Sequence, residues 1–442
     1  MINIINELFD ENTFVQTNSY IVSPEAKDKK TGDGVFTGYG SVNGRAVFAA
    51  FQDENYLNGA VGLTHAKKIS DCIDMAVKVG APFVFYMTSA GGRISEGLDV
   101  LYGYGLVVKS ITAALGVIPV IAVVDGNCIG ISSIIASSAD FSFVTEKSYI
   151  AFSGPDAIKA SGSKSSNSTK SITKLCSSRT DAFDAVKKLM AFIPDNCNSL
   201  LPDEEGTNDF NKSINADGFG TFEEYDVKEL ISSLADNGNW FEIYDNYAEN
   251  VVTGFAFIGG KVCALVANQP KILNGDLNVS ACEKISSVLA FCDKFNIPVI
   301  TLTNTQGFIV SDEEEKAGLS ASAALLISSF ANSDMPKINI ITGKAYGSSY
   351  LVMNGKNTGA DIVYAWNSAD ISVITPEAGA LLVFNEEIKA SNDPVKTREE
   401  CIDKYRKEYS TAYYAAEKGL VDDIINPSET RARIISALYL LD

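Results

Sequence analysis

Apolar positions along the chain fall into two kinds of run. Short unbroken stretches, PFVFYM, PVIAVV, PVITLT and KINIIT, have the length and lack of alternation of strands buried on both faces of a largely parallel sheet. Between them, HAKKISDCIDMAVKV and SACEKISSVLAFCDKF repeat apolar residues at three and four positions, which predicts amphipathic helices. Strand and helix therefore alternate, as in an α/β fold. TGYGSVNGRAV, beginning at Thr37, reads as strand, Gly-containing turn and strand, and TGFAFIGGKVC, beginning at Thr253, reads the same way.

The second hairpin begins 216 positions after the first, and the same offset joins Asn58-Gly59 to Asn274-Gly275, Lys68-Ile69 to Lys284-Ile285, Pro82 to Pro298 and Gly91 to Gly307. With one residue inserted the register continues through Pro119 and Pro336, Gly126 and Gly343, and Gly130 and Gly347. Reuse of Gly and Pro at turns explains any one of these pairs. It does not explain the ordered set, so the chain reads as two tandem α/β domains, 1–225 and 226–442. From Ser161 to Glu224 the composition turns to Ser, Lys, Asn and Asp, which predicts a loop-rich linker around one helix.

Composition narrows the chemistry. A formal charge of −19 argues against nucleic acid, whose phosphates are bound by clustered Lys and Arg. The eight cysteines form no CxxC pair, so no zinc ribbon and no other metal site is expected. With His65 the single histidine, a His ligand set is excluded and a Ser-His-Asp triad has one imidazole to draw on. No signal-peptide pattern or membrane span is visible, and a cytoplasmic location without membrane insertion is expected.

Glycines mark the candidate sites. PVIAVVD runs into GNCIGISSIIASSAD, where Gly126 and Gly130 precede the helical run SSIIASS at the end of a buried strand. INIITGKAYGSSYLVMNGK repeats the arrangement with Gly347, Ser348 and Ser349. Amides at a helix N-terminus are unpaired within the helix and partly positive, so each start is able to hold an oxyanion; the alternative is that the glycines only allow close packing. A further loop, TSAGGRISEG, offers Ala90, Gly91 and Gly92 for close backbone approach to a ligand. Its Arg93 has two readings, a phosphate contact or a local ion pair with Glu96. The spacing fits neither a dinucleotide fingerprint nor a P-loop.

At these residues the chain resembles the biotin-dependent acyl-CoA carboxyltransferases: the β-type subunits of propionyl-CoA and acetyl-CoA carboxylases with their decarboxylase and transcarboxylase relatives. The resemblance runs through DGVFTGYGSVNGR, SAGGRISEGLDVLYGYG and IPVIAVVDGNCIG to VANQPKILNGDL, NTQGFIVSDEEEKAG, PKINIITGKAYGSSYLVM, GADIVYAW and YYAAEKGLVDDIINPSETR. It implies two crotonase-like (ClpP/crotonase β-β-α superhelix) domains and an oligomer from dimer to hexamer, with active sites between the N-domain of one protomer and the C-domain of another. It implies CO2 transfer between carboxybiotin and a short acyl-coenzyme A (acetyl-, propionyl- or methylmalonyl-CoA) through two peptidic oxyanion holes. One, for the thioester enolate, falls on Gly130 and Ile131; the other, for the biotin ureido oxygen, on Ser348 and Ser349 beside Gly347. Ala90, Gly91, Gly92, Arg93, Gly307, Phe308 and Leu351 are carried over as binding positions.

Relatives have a second glycine where Ile131 stands and Gly-Ala where Ser348-Ser349 stand, changes that keep every N–H donor. Leu351 replaces an Asp of some propionyl-preferring carboxylases, and SSYLVM looks more like the transcarboxylase and methylmalonyl-CoA decarboxylase relatives. The implied partners are a biotin carboxyl carrier protein and either a biotin carboxylase or a membrane decarboxylase subunit. Two other functions stay open here: a non-catalytic scaffold subunit, prompted by Ile131 and the shortened segment after Lys159, and a crotonase-type hydratase or isomerase, disfavoured by the absence of a Glu pair at either helix start. The tail from about Glu400 to Asp442 is expected to form helices at an oligomer edge, with Ile402, Tyr405 and Tyr409 on the apolar face.

Overall fold

A computed structural model describes residues 1–23, 29–162, 170, 172–204, 213–215, 218–220 and 224–441, with the side chains of 29–31 excepted. Much of SGSKSSNSTKS and of LLPDEEGTNDFNKS, both placed in the expected linker, lies outside them. The chain divides into two units, Met1–Leu200 and Leu201–Asp442.

The first unit is built on β1 (Val15–Thr17), β2 (Val35–Val42), β3 (Arg45–Gln52), β4 (Phe83–Ser89), β5 (Val120–Ile129), β6 (Phe141–Thr145), β7 (Tyr149–Ala151) and β8 (Lys174–Cys176). Their order is β1-β2-β3-β4-β5-β6-β8, with β7 also on β5. The β1-β2-β3 meander is antiparallel, and every pairing from β3 onward is parallel. The second unit repeats this plan with β9 (Trp240–Ile243), β10 (Val251–Ile258), β11 (Lys261–Asn268), β12 (Val299–Thr305), β13 (Lys337–Tyr346), β14 (Ile362–Trp366), β15 (Asp370–Ser372) and β16 (Asp423–Ile425). The order is β16-β14-β13-β12-β11-β10-β9, with β15 also on β13.

The repeat read from the sequence is thus a repeat of structure. The helices Leu63–Val79 and Val279–Phe295 cover equivalent strands with Ile69, Ile73 and Ala76 in one and Ile285, Val288 and Leu289 in the other, all buried. Parallel strands need crossovers, and these helices are the crossovers. Asn58 and Asn274 both sit at positive φ, between Leu57 and Gly59 and between Leu273 and Gly275. A Cβ on Gly59 would stand 1.8 Å from the Thr88 carbonyl oxygen, so only glycine lets this turn close on the end of β4.

Two expectations are corrected. The units meet at 200/201 rather than 225, and the expected linker is divided between them. Its earlier part supplies β8 and the helix Arg179–Met190, which starts at Ser178 and buries Phe183, Val186 and Leu189. Its later part packs on the second unit: the Glu204 amide donates to Gly260 O, and Ile214 joins that unit's core with Phe219 partly buried against it. The tail is also not helical throughout: it is helix over Pro394–Tyr409, Ala412–Glu417 and Thr430–Leu441, with a strand between. Cys401 and Tyr405 are buried in the helix Pro394–Tyr409, with Ile402 partly buried against the same cluster. Beyond it, however, Asp423–Ile425 extends the sheet as β16, and the last helix, Thr430–Leu441, sends Ile434, Ile435, Ala437 and Leu438 into the main core. The apolar spacing of that helix serves the interior of its own unit. Among the described residues no helix is long and apolar enough to cross a membrane.

Candidate functional site

β5 ends at Ile129, and Gly130, at φ 66° and ψ −131°, swings the chain into the helix Ile131–Ser138. Gly347, at φ 59° and ψ −133°, does the same between β13 and the short helix Ser348–Val352. Only glycine adopts this backbone without strain.

The sharp turn decides which amides are free. Gly130 N–H is occupied, donating to Phe152 O at 3.1 Å, and Gly347 N–H donates to Ser372 O at 2.8 Å. The next two amides in each case, Ile131 with Ser132 and Ser348 with Ser349, have no protein acceptor among the described residues. At the first helix start the expected pair therefore shifts by one residue. At the second, the free amides are those of Ser348 and Ser349, with Gly347 as the turn that frees them. The repeat held the signal: at an offset of 217, Ser132 is the counterpart of Ser349.

The neighbouring strand brings a further free amide to each site. Ser89 of β4 is in register with Cys128 of β5, and Thr305 of β12 with Ala345 of β13, so the loops after β4 and β12 leave the sheet beside Gly130 and Gly347. In the first loop Ala90 N–H donates to Asn58 O and Gly91 N–H to Ser89 Oγ, while Gly92 N–H has no acceptor among the described residues. In the second, Gly307 N–H donates to Thr305 Oγ1, and Phe308 N–H has none. The family resemblance carried all of these over as binding positions. Hydrogen bonding separates Gly92 and Phe308, which have a donor to offer a ligand, from Ala90, Gly91 and Gly307, which shape the loops.

Arg93 takes the local role. Its guanidinium is 5% exposed, bonds Asp33 Oδ1 at 2.7 Å, Asp33 O at 2.9 Å and Ala60 O at 2.9 Å, and pairs with Glu96 at 3.2 Å. A phosphate contact would require breaking this buried set. His65 lies in the same cluster, with Nδ1 3.0 Å from Asp33 O and Nε2 3.3 Å from the Gln52 side-chain nitrogen. A carbonyl only accepts, so Nδ1 carries the proton and Nε2 receives the Gln52 amide. Burial, with the Arg93 charge nearby, presses the imidazole down to about 3, so His65 is neutral and fully buried.

Beside Gly347 and Ser348 the second unit has a cavity of about 470 Å³. Leu351, Ile371, Val373, Tyr409, Tyr414 and Leu420 give it apolar walls, and Lys418 also lines it. Of these only Leu351 was expected as a binding position, Tyr409 having been placed on the apolar face of the tail. Val373 follows β15, Tyr409 ends one tail helix, and Tyr414 and Lys418 belong to the next, so no local pattern joins them.

The arrangement is a pair of backbone anion holders with few side chains of their own, one of them opening on an apolar cavity. Free, fixed amides of this kind are able to stabilise a developing oxyanion. The family model described as the carboxyl transferase domain matches residues 1–442. The chain is 36% identical to a putative propionyl-CoA carboxylase beta chain of Bacillus subtilis, covering 98% of this chain and 89% of that one. It is 34% identical to a methylmalonyl-CoA decarboxylase subunit alpha of Propionigenium modestum, covering 98% and 88%. Among solved structures it superposes on a hexameric transcarboxylase 12S with hydrolysed methylmalonyl-coenzyme A bound, at TM-score 0.93 and 33% identity over 99% of this chain and 89% of that chain.

Proposed function

The chain belongs to the carboxyl transferase family, and from that premise we propose that it moves CO2 between biotin, borne on a separate carrier protein, and the α-carbon of a short acyl-CoA thioester. The observation that carries this reading is the duplicated strand-end turn that leaves two adjacent amides free at each helix start.

In the proposed division of labour, Ile131 and Ser132, with Gly92 beside them, hold the thioester oxygen as it takes on enolate charge. Ser348 and Ser349, with Phe308, hold the ureido oxygen. Bound biotin supplies the ureido nitrogen that carries CO2 and takes up the α-proton. The residues present fit that group: a neutral, flat ureido ring with an apolar rim suits a cavity walled by Leu351, Ile371, Val373 and two tyrosines beside two N–H donors. Because the donors are main-chain amides already fixed by sheet and helix, they need no reorganisation as charge develops. No carboxylate lines the cavity, which speaks against a hydratase or isomerase working there, and the free amides speak against a bare scaffold. The chemistry runs both ways through one site, and the relatives include a carboxylase chain and a decarboxylase subunit.

The reading includes a homo-oligomer, supported by the hexamer of the transcarboxylase relative, and a cytoplasmic location, supported by eight free thiols. It also includes two partner chains, a biotin carboxyl carrier protein and either a biotin carboxylase or a membrane decarboxylase subunit. Light scattering on the purified chain should give a multiple of 47.3 kDa.

Ser348 provides the decisive test. It is the first residue of its helix, where proline is tolerated, so Ser348→Pro removes one donor while leaving the helix intact. The rate of methylmalonyl-CoA-dependent carboxylation of free biotin should fall roughly 10²- to 10³-fold, the usual effect of losing one oxyanion donor. Ser348→Ala keeps the N–H and should stay near wild type. Ser349→Ala is a less clean control, because Ser349 Oγ donates to Tyr346 O at 2.6 Å. If the folded proline variant keeps its rate, or the alanine variant loses as much, the backbone account is wrong.

A further inference from the structure

The cavity beside Ser348 holds one cation. Lys418 caps the helix Ala412–Glu417 and lines a cavity whose other lining residues include no charged side chain. Elsewhere on the unit Lys356 pairs with Asp422, Lys404 with Glu387 and Lys228 with Glu242. Lys418 has no carboxylate partner among the described residues, and its ammonium lies 5.2 Å from the centre of the Tyr414 ring. Tyr414 in turn meets Tyr409 edge-on at 6.1 Å, so the lysine stem is directed along the aromatic wall. In a chain of net charge −19, an unpaired cation at an apolar cavity is a local reversal of the prevailing field.

We propose that Lys418 is a binding residue for the carboxylate being transferred, holding it beside the amides of Ser348 and Ser349. This rests on the reading of the cavity as part of the carboxyl-transfer site. An anion entering apolar walls loses hydration, and a cation at the rim offsets that loss without a second charged wall that would trap it. The same chemistry is borne by two molecules, the carboxylated ureido group and the carboxylated acyl thioester. Lys418 acts on binding and orientation; no bond is made to it and no proton passes through it. The competing role, a helix-end cation stacked on Tyr414, would affect stability alone.

The test compares Lys418→Met, which keeps the stem and removes the charge, with Lys418→Arg. Calorimetric titration with methylmalonyl-CoA and with propionyl-CoA reads the thioester arm without turnover. Transfer from the carboxylated carrier to propionyl-CoA, with KM and kcat separated, reads the biotin arm. If the thioester bears the recognised carboxylate, the methionine variant should bind methylmalonyl-CoA roughly tenfold more weakly and propionyl-CoA unchanged, the size expected for one charge-assisted hydrogen bond at a partly wetted site. If the ureido group bears it, both thioesters should bind as in wild type and KM for the carboxylated carrier should rise by about that factor with little change in kcat. In either case Lys418→Arg should restore most of the loss. Unchanged values in both arms, or failure of arginine to rescue, would overturn the proposal while leaving the carboxyl-transfer reading intact. A wild-type protein inactive in transfer would instead refute that reading.

Discussion

His65 shows how one buried residue ties the candidate site to pH. The folded protein keeps the imidazole neutral down to about pH 3, whereas the unfolded chain takes up a proton near 6.5. Between these values the unfolded state binds more protons, so stability from this group is complete above about 6.5 and is lost as pH falls toward 3. From pH 7 to pH 5 it should contribute a loss of about 2 kcal/mol. Urea unfolding of wild type and His65→Gln over that range checks this: the variant should show the shallower pH dependence, and parallel curves would show that His65 does not govern the acid limb. Buried, with both ring nitrogens engaged and its basicity so reduced, His65 takes no part in the proposed mechanism.

At the scale of elements, the two crossover helices share a cap supplied from elsewhere in the chain. Neither Leu63–Val79 nor Val279–Phe295 has an acidic residue in its first turn. Instead Glu96 Oε2 accepts from the Leu63 amide at 2.7 Å, and Glu314 Oε2 from the Val279 amide at 2.8 Å. A carboxylate at a helix N-terminus satisfies an orphan amide and meets the positive end of the dipole. Glu314→Ala should therefore cost about 1 kcal/mol in thermal unfolding. Asp312→Ala, which removes only an exposed pair with Lys316, should cost little. If the two variants are equally stable, the long-range cap contributes nothing. These caps also tie the loops that precede and follow each half-site to its crossover helix.

Across the molecule, the second unit is closed by its own C-terminal segment. Arg431 and Asp236, 2% and 0% exposed, pair at 2.5 Å, and the Asp236 carboxylate also accepts the Gly259 and Gly260 amides at the β10-β11 turn. Ile435 packs where a Cβ on Gly259 would stand. Arg431→Met would strand the Asp236 charge in the interior and should cost about 3 to 5 kcal/mol. Deleting residues 427–442 should go further and leave the second unit susceptible to protease, with the near-ultraviolet dichroism of buried Trp366 lost. Retention of a native spectrum by the truncated protein would mean that this helix is an appendage after all.

How much of this was legible follows from the range of the forces involved. The two-fold repeat, the α/β alternation and the glycine turns at both helix starts are written in local spacing, because strand burial, helix period and positive φ each act within a few residues. The turn at Gly347, ahead of Ser348 and Ser349, was legible for that reason. At the first helix start the spacing could not show that the Gly130 N–H is bonded to Phe152, a partner brought near only when β7 pairs with β5. Arg93 remained ambiguous until the fold brought Asp33 against it. The cavity wall joins Leu351, Val373, Tyr409 and Lys418 from separate elements, and the division at 200/201 depends on Ile214 and Tyr225 choosing the second core. Local chemistry can specify that an amide is able to bind an anion; only tertiary structure decides whether another part of the chain has already occupied it.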